Sequence, residues 1–160
     1  MSSTTVKPEV QVRQEAGFKY LFVSVRAQID KVGEALGGQW ERLYRQAAEQ
    51  GLTPAGPCFA AYPEDNFNPQ DFELWAAVPV TGEPHPAGEI RAAEVQPGRV
   101  AVMTVKGGYE NLPAAYEAMG AWMRESGHQV RDAWREVYLV SWDRAQPQDF
   151  VTEIVAPIQG

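Results

Sequence analysis

At 160 residues, with 14 Lys and Arg against 21 Asp and Glu, the chain carries a formal net charge of −7, an acid excess that argues against nucleic-acid binding, where clustered cations on phosphates supply most of the affinity. Its 44% hydrophobic and 22% charged residues describe an ordinary globular chain of one domain and exclude the disordered and fibrous classes. One cysteine, Cys58, precludes an intramolecular disulfide, and two histidines leave no material for a His-rich metal centre, so neither metal nor cofactor is expected.

Taken in chain order, residues 1–9 are polar, lack the basic-then-apolar layout of a signal peptide, and are expected to be flexible. No apolar run approaches the ~18 residues of a membrane span, so a cytoplasmic protein with no membrane partner is expected. Val10 and Val12 alternate with polar residues, and Phe18 to Val25 is a β-rich run after Ala16-Gly17; both read as strands. Leu36, Trp40, Leu43, Tyr44 and Ala47 recur at helical spacing, and Gly51 falls where a helix ends. Strands over Cys58 to Tyr62 and Phe72 to Val80 follow, joined by the turn-rich stretch 63–69. A Gly/Pro-rich linker, 81–89, precedes a predicted hairpin of Ile90 to Val95 and Arg99 to Val105 around Pro97-Gly98. A second helix from Leu112 sets Leu112, Tyr116, Met119 and Met123 on one face, with Pro113 in its first turn and Gly127 at its end. Strands over Trp134 to Trp142 and Phe150 to Ile158 complete the chain.

The order of residues 10–80 recurs over 90–158, and residues match as well. At an offset of 76, Trp40 pairs with Tyr116, Leu43 with Met119, Gly51 with Gly127 and Tyr62 with Tyr138; at 78, Asp71-Phe72 pairs with Asp149-Phe150. The expectation is one α+β domain over 10–158, a duplicated ββαββ-like unit with pseudo-two-fold symmetry and a ligand cleft between its halves.

The stretch Val105 to Tyr116 (Val-Lys-Gly-Gly-Tyr-Glu-Asn-Leu-Pro-Ala-Ala-Tyr) with Trp122, then Trp134 to Tyr138, then Thr152-Glu153-Ile154 with Pro157, resembles the gyrase-inhibitor-like (GyrI-like) small-molecule-binding domain. Gly56-Pro57, Tyr62 and Val78 to Val80 fit the same pattern in the first half. The resemblance implies the effector-binding fold of multidrug-responsive transcription activators, which takes bulky, often cationic aromatic compounds against a buried glutamate. Nine residues ahead of Val10 are too few for a helix-turn-helix, so a stand-alone member is expected. Some stand-alone relatives of this family hydrolyse the cyclopropane of DNA-alkylating natural products, and founding relatives are associated with DNA gyrase.

Glu136 is the first candidate. The repeat sets it opposite Ala60, so the carboxylate occurs in one half only, and strand alternation puts Glu136, Tyr138 and Val140 on one face. A carboxylate on an apolar strand is costly to bury unless a cation enters; the alternative is a surface Glu paired with Arg135 or Arg131. Tyr138 lines the same face. Tyr109 follows the flexible Gly107-Gly108 and either reaches over the cleft or belongs to a plain connector. Trp75, Trp134 and Trp142 are wall candidates whose indole faces suit a planar cation, with core packing as the alternative. Phe59 and Tyr62 are the counterparts on the opposite wall. Trp40 and Tyr116, at matched positions, read as core, and Glu153 is a weaker acidic candidate.

These residues support binding of a hydrophobic, cationic aromatic small molecule. They also permit hydrolysis with Glu136 as general base and Tyr138 assisting the leaving oxygen. A gyrase interaction through the acidic surface ranks third.

Overall fold

The computed structural model describes residues 9–64, 68–141 and 145–159; residues 1–8 and Trp142 lie outside the described residues. Among the described residues the architecture is α+β, nine strands in one antiparallel sheet with helices on one face. In chain order the elements are β1 (Val10–Glu15), β2 (Phe18–Ala27), α1 (Val32–Leu36), α2 (Gln39–Glu49), β3 (Thr53–Pro54), β4 (Phe59–Tyr62), β5 (Phe72–Thr81), β6 (Arg91–Val95), β7 (Gly98–Lys106), α3 (Leu112–Ser126), β8 (Trp134–Val140) and β9 (Val151–Pro157). The sheet runs β1-β7-β9-β8-β4-β5-β2-β6, with the short β3 also on β5. Its central contact is β4 against β8, where Ala60 pairs with Glu136.

The expected β6–β7 hairpin does not form. β6 pairs with β2 and β7 pairs with β1 and β9. β1 thus lies on one flank of the sheet while β2, two residues later, lies on the other, and β6 and β7 cross back in the same way. Glu15 and Phe18 are three Cα steps apart, at most about 11 Å, so the two flanks must meet at this corner. The crossings touch: a Cβ added to Gly17 would stand 2.8 Å from the Val95 carbonyl and 3.0 Å from the Pro97 ring.

The roll explains why apolar residues cluster on both faces of the sheet. The helix face packs Leu36, Trp40, Leu43 and Ala47 over β2, β4 and β5, and Met119 and Met123 over β7 and β9. On the other face, Tyr20, Phe22, Phe59 and Ala77 cluster with Phe18 and Trp75, and Val100, Val102 and Val155 meet Val137, without any helix over them. Arg135 ties the corner to the sheet centre. Its guanidinium, 4% exposed, donates from Nη2 to both Glu15 carboxylate oxygens at 2.6 Å and lies over the Phe18 and Phe59 rings.

The first helix is also two. Gly38, at φ 78°, adopts the left-handed conformation that glycine favours and parts α1 from α2, so the run from Leu36 to Ala47 changes direction at Gly37-Gly38. α2 and α3 stop as expected: Gly51 and Gly127 both sit at φ 72°.

Removing one partner of a buried ion pair strands the other charge. Glu15→Ala is expected to lower urea-measured stability by about 3–5 kcal/mol, with most of it recovered in Glu15→Ala/Arg135→Met; a single-variant loss below about 1 kcal/mol, the value of a surface pair, would contradict this role.

Candidate functional site

A cleft of about 880 Å³ opens on the helix face, between α1–α2 on one side and the start of α3 on the other. Strand alternation on β8 turns Trp134, Glu136 and Tyr138 toward it, while Arg135 and Val137 point to the opposite face. Leu112, Pro113 and Tyr116 come from the first turns of α3, Tyr109 from the turn ahead of it, and Ile29 to Gly38 from α1 and its flanks.

Glu136 forms the floor and is 3% exposed. Three phenols donate to it: Tyr62 to Oε2 at 2.7 Å, Tyr116 to Oε2 at 2.5 Å and Tyr138 to Oε1 at 2.9 Å. They come from β4, α3 and β8, so the carboxylate is where three separate elements converge. Each ring is held by others. Trp134 stacks on Tyr116, with centroids 5.8 Å apart, and Tyr62 meets Tyr116 edge-on. Trp40 and Tyr109 both meet Tyr138 edge-on, and Trp40 Nε1 donates to the Phe59 carbonyl at 3.3 Å. Among the described residues, the lining holds three carboxylates, Asp30, Glu64 and Glu136, and no Lys, Arg or His. Glu64 has an outlying partner in Arg26, at 3.4 Å.

Of the candidates, the structure gathers Glu136, Tyr138, Tyr109, Trp134 and Tyr62 around this cleft. Phe59 and Trp75 are not among them. Phe59 packs against Phe18 and Tyr20, and Trp75 stacks on Phe22 at 4.2 Å, all on the opposite face. Trp75 also donates from Nε1 to Glu73 at 2.6 Å. Glu153 pairs with Arg13 at 3.0 Å, likewise away from the cleft. Conversely, Trp40 and Tyr116, read as core, line the cleft. A buried tyrosine hydroxyl needs a polar partner, and that requirement was the signal at Tyr116. Among the described residues, no group of three or more His, Cys, Asp or Glu is placed to hold a metal, and no helix is long and apolar enough to cross a membrane.

Burial first, then the Glu136 charge, holds the hydroxyls of Tyr62, Tyr116 and Tyr138 well above the ordinary phenol value of 10.0. Burial also lifts Tyr20, on the other face, to about 12. The folded chain therefore keeps protons that the unfolded chain releases near pH 10. The stability this confers is complete below that pH and is lost as pH rises toward the folded-state values. Urea midpoints are expected to fall above about pH 10, and less steeply in Tyr62→Phe and Tyr116→Phe than in wild type; identical pH slopes in all three proteins would refute the linkage.

Comparisons with known proteins place this geometry. Among curated proteins none gives a significant sequence match. The chain superimposes on EcmrR in its DNA complex with a TM-score of 0.87 at 16% identity, covering 98% of this chain and 59% of EcmrR. Against the EcmrR C-terminal domain the TM-score is 0.78 at 16% identity, over 95% of this chain and 98% of that domain. A Listeria innocua protein described as a hydrolase gives 0.66 at 14% identity, covering 98% and 94% of the two chains. SAV2435, in a structure with tetraphenylphosphonium bound, gives 0.61 at 15% identity, covering 95% and 94%. The model of the GyrI-like small-molecule-binding domain matches residues 8–159, and with nearly its whole length matched the chain belongs to that family.

Proposed function

We propose that this domain binds a bulky aromatic cation in the cleft, with Glu136 as its counter-charge. One observation carries the reading: a carboxylate that is 3% exposed lies on the floor of an aromatic cleft whose described lining contains no cationic side chain. A buried charge is ordinarily paired, and here a ligand would supply the pairing. The walls suit such a ligand, because the faces of Trp134, Trp40 and the tyrosines attract delocalised positive charge by roughly 0.5–2 kcal/mol per good contact. The tetraphenylphosphonium bound to SAV2435 is a compound of this kind on the same fold.

Tryptophan fluorescence titration tests it. Tetraphenylphosphonium is expected to bind wild type, with triphenylphosphine oxide, which is neutral, much weaker. Glu136→Gln should lose at least about tenfold in affinity for the cation, or 1.4 kcal/mol, and little for the oxide. Equal cation binding by wild type and Glu136→Gln would sink the proposal.

Hydrolysis is the second reading, favoured by the phenols of Tyr116 and Tyr138 within hydrogen-bond reach of a would-be general base and by the hydrolase described on this fold. Mass spectrometry after incubation with a cyclopropane-bearing alkylator separates the two. Intact compound retained one per chain is the outcome expected for binding; ring-opened product from wild type and none from Glu136→Gln would establish turnover.

A further inference from the structure

Far from the cleft floor, the sheet ends at β1 on one flank and β6 on the other, and no described strand lies on the outer edge of either. An open edge is a template for a further strand unless charges, a proline or a bulge guard it. β1 pairs with β7 in unbroken register from Val10 to Glu15. Glu9, Gln11, Arg13 and Gln14 are exposed, as is Val12 at 39%. Alternation divides the segment between the faces. Val10 and Val12 stand beside Met103 and Ala101 on the helix face, where Val10 joins the α3 cluster. Glu9, Gln11 and Arg13 belong to the other face, where Arg13 reaches Glu153 at 3.0 Å.

We propose that the chain associates with a second copy of itself through this edge, β1 antiparallel to β1 about a two-fold axis at Gln11, so that one sheet runs through both molecules. Residues 9–13 read Glu-Val-Gln-Val-Arg, a segment complementary to its own reverse. About that axis Val10 opposes the partner's Val12, and Glu9 opposes the partner's Arg13, each pair occurring twice. Apolar and opposite-charge pairs are the ones that stabilise antiparallel strands, and like charges destabilise them. Arg13 has five N–H donors, two of which reach Glu153, so others remain for the partner's Glu9. Other registers lose the match. An axis at Val12 sets Glu9 against the partner's Glu15 and Val10 against the partner's Gln14, and an axis at Arg13 brings two guanidinium groups together. An axis between residues would oppose backbone groups that point outward with groups turned to β7. β6 has no equivalent pattern: Arg91 and Glu94 are three positions apart, on opposite faces, and no two-fold axis can oppose them. Five residues a side make a small contact, in the class of weak and transient associations, and its exposed charge pairs are screened by salt.

Sedimentation velocity on the full chain, over a wide range of concentration, is expected to show a monomer–dimer equilibrium that weakens as salt is raised. Glu9→Arg replaces two opposite-charge pairs with two like-charge pairs and should weaken the dimer about tenfold. Cysteine cross-linking in a Cys58→Ala background reads the register. Gln11→Cys puts the two thiols on directly opposed residues, within the Cα separation a disulfide spans, and should give a covalent dimer under mild oxidation. Gln14→Cys is the control, because its two copies lie about 20 Å apart in the same pairing. Glu9, Gln11 and Gln14 are all exposed, and circular dichroism checks that each variant is folded. A monomer at every concentration would overturn the proposal, as would cross-linking of Gln14→Cys as fast as Gln11→Cys. Species that grow beyond the dimer would also overturn it, since they would mean that β1 pairs head to tail with the edge of β6.

Discussion

A carboxylate buried with no counter-ion among the described residues sets the terms on which the rest of this domain is built. Desolvating a carboxylate costs several kcal/mol, and the described cleft lining offers no cation against it. What it offers is three phenols, whose bonds to an ionised acceptor are roughly twice as strong as neutral ones. Because those phenols stand on β4, α3 and β8, the carboxylate is satisfied only when helix and strands from both halves of the chain are docked together. The second layer of rings follows from the same demand. Trp134 and Tyr62 hold the Tyr116 ring, and Trp40 and Tyr109 hold Tyr138, so much of the chain's aromatic content serves to aim three hydroxyl groups.

The sheet keeps that charge from being cancelled from behind. Arg135 is the next residue to Glu136 in the chain. On a strand they face opposite ways, and the Arg135 guanidinium finds Glu15 and the rings of Phe18 and Phe59 on the far side. The roll that brings Glu15 there is forced by two crossings of two residues each. One strand thus carries an ion-paired arginine on one face and, on the other, a carboxylate with no cation in the described cleft lining.

Most strands were legible as alternating apolar runs, and the parity of β8 was enough to put Glu136 and Tyr138 on one face. Ala60, which the sequence offset of 76 sets opposite Glu136, is its register partner in the sheet. Pairing was not. Pro97-Gly98 interrupts the strand whether the flanking segments turn back on each other or go on to distant partners, and the choice depends on sheet curvature that no local signal encodes. Phe59 and Tyr62 could have been separated from sequence: three positions apart on one strand, they face opposite ways, and only Tyr62 reaches the cleft. Trp40 and Tyr116, read as core, do pack in the two core clusters; helical spacing marks a face as apolar without saying that a cleft also lies against it.

Walls and floor of the cleft are drawn from different kinds of structure, and that division bears on what each can discriminate. The floor stands on β4 and β8 at the middle of the sheet, where ladder hydrogen bonds on both sides hold side chains to a narrow range of positions. The mouth is made by Ile29 to Gly38 and the first turns of α3, pieces of a turn or two. Several of these carry no polar group, and a Cβ at Gly33 or Gly38 would meet nothing within 4 Å, so the space before them is open. Apolar contact is non-directional and tolerates variation in shape, whereas hydrogen bonds to a fixed carboxylate depend on distance and angle. On the proposed reading, bulk is therefore judged loosely at the mouth and charge strictly at the floor. On that reading, a cleft so divided would accept many scaffolds that each present a cationic group to Glu136.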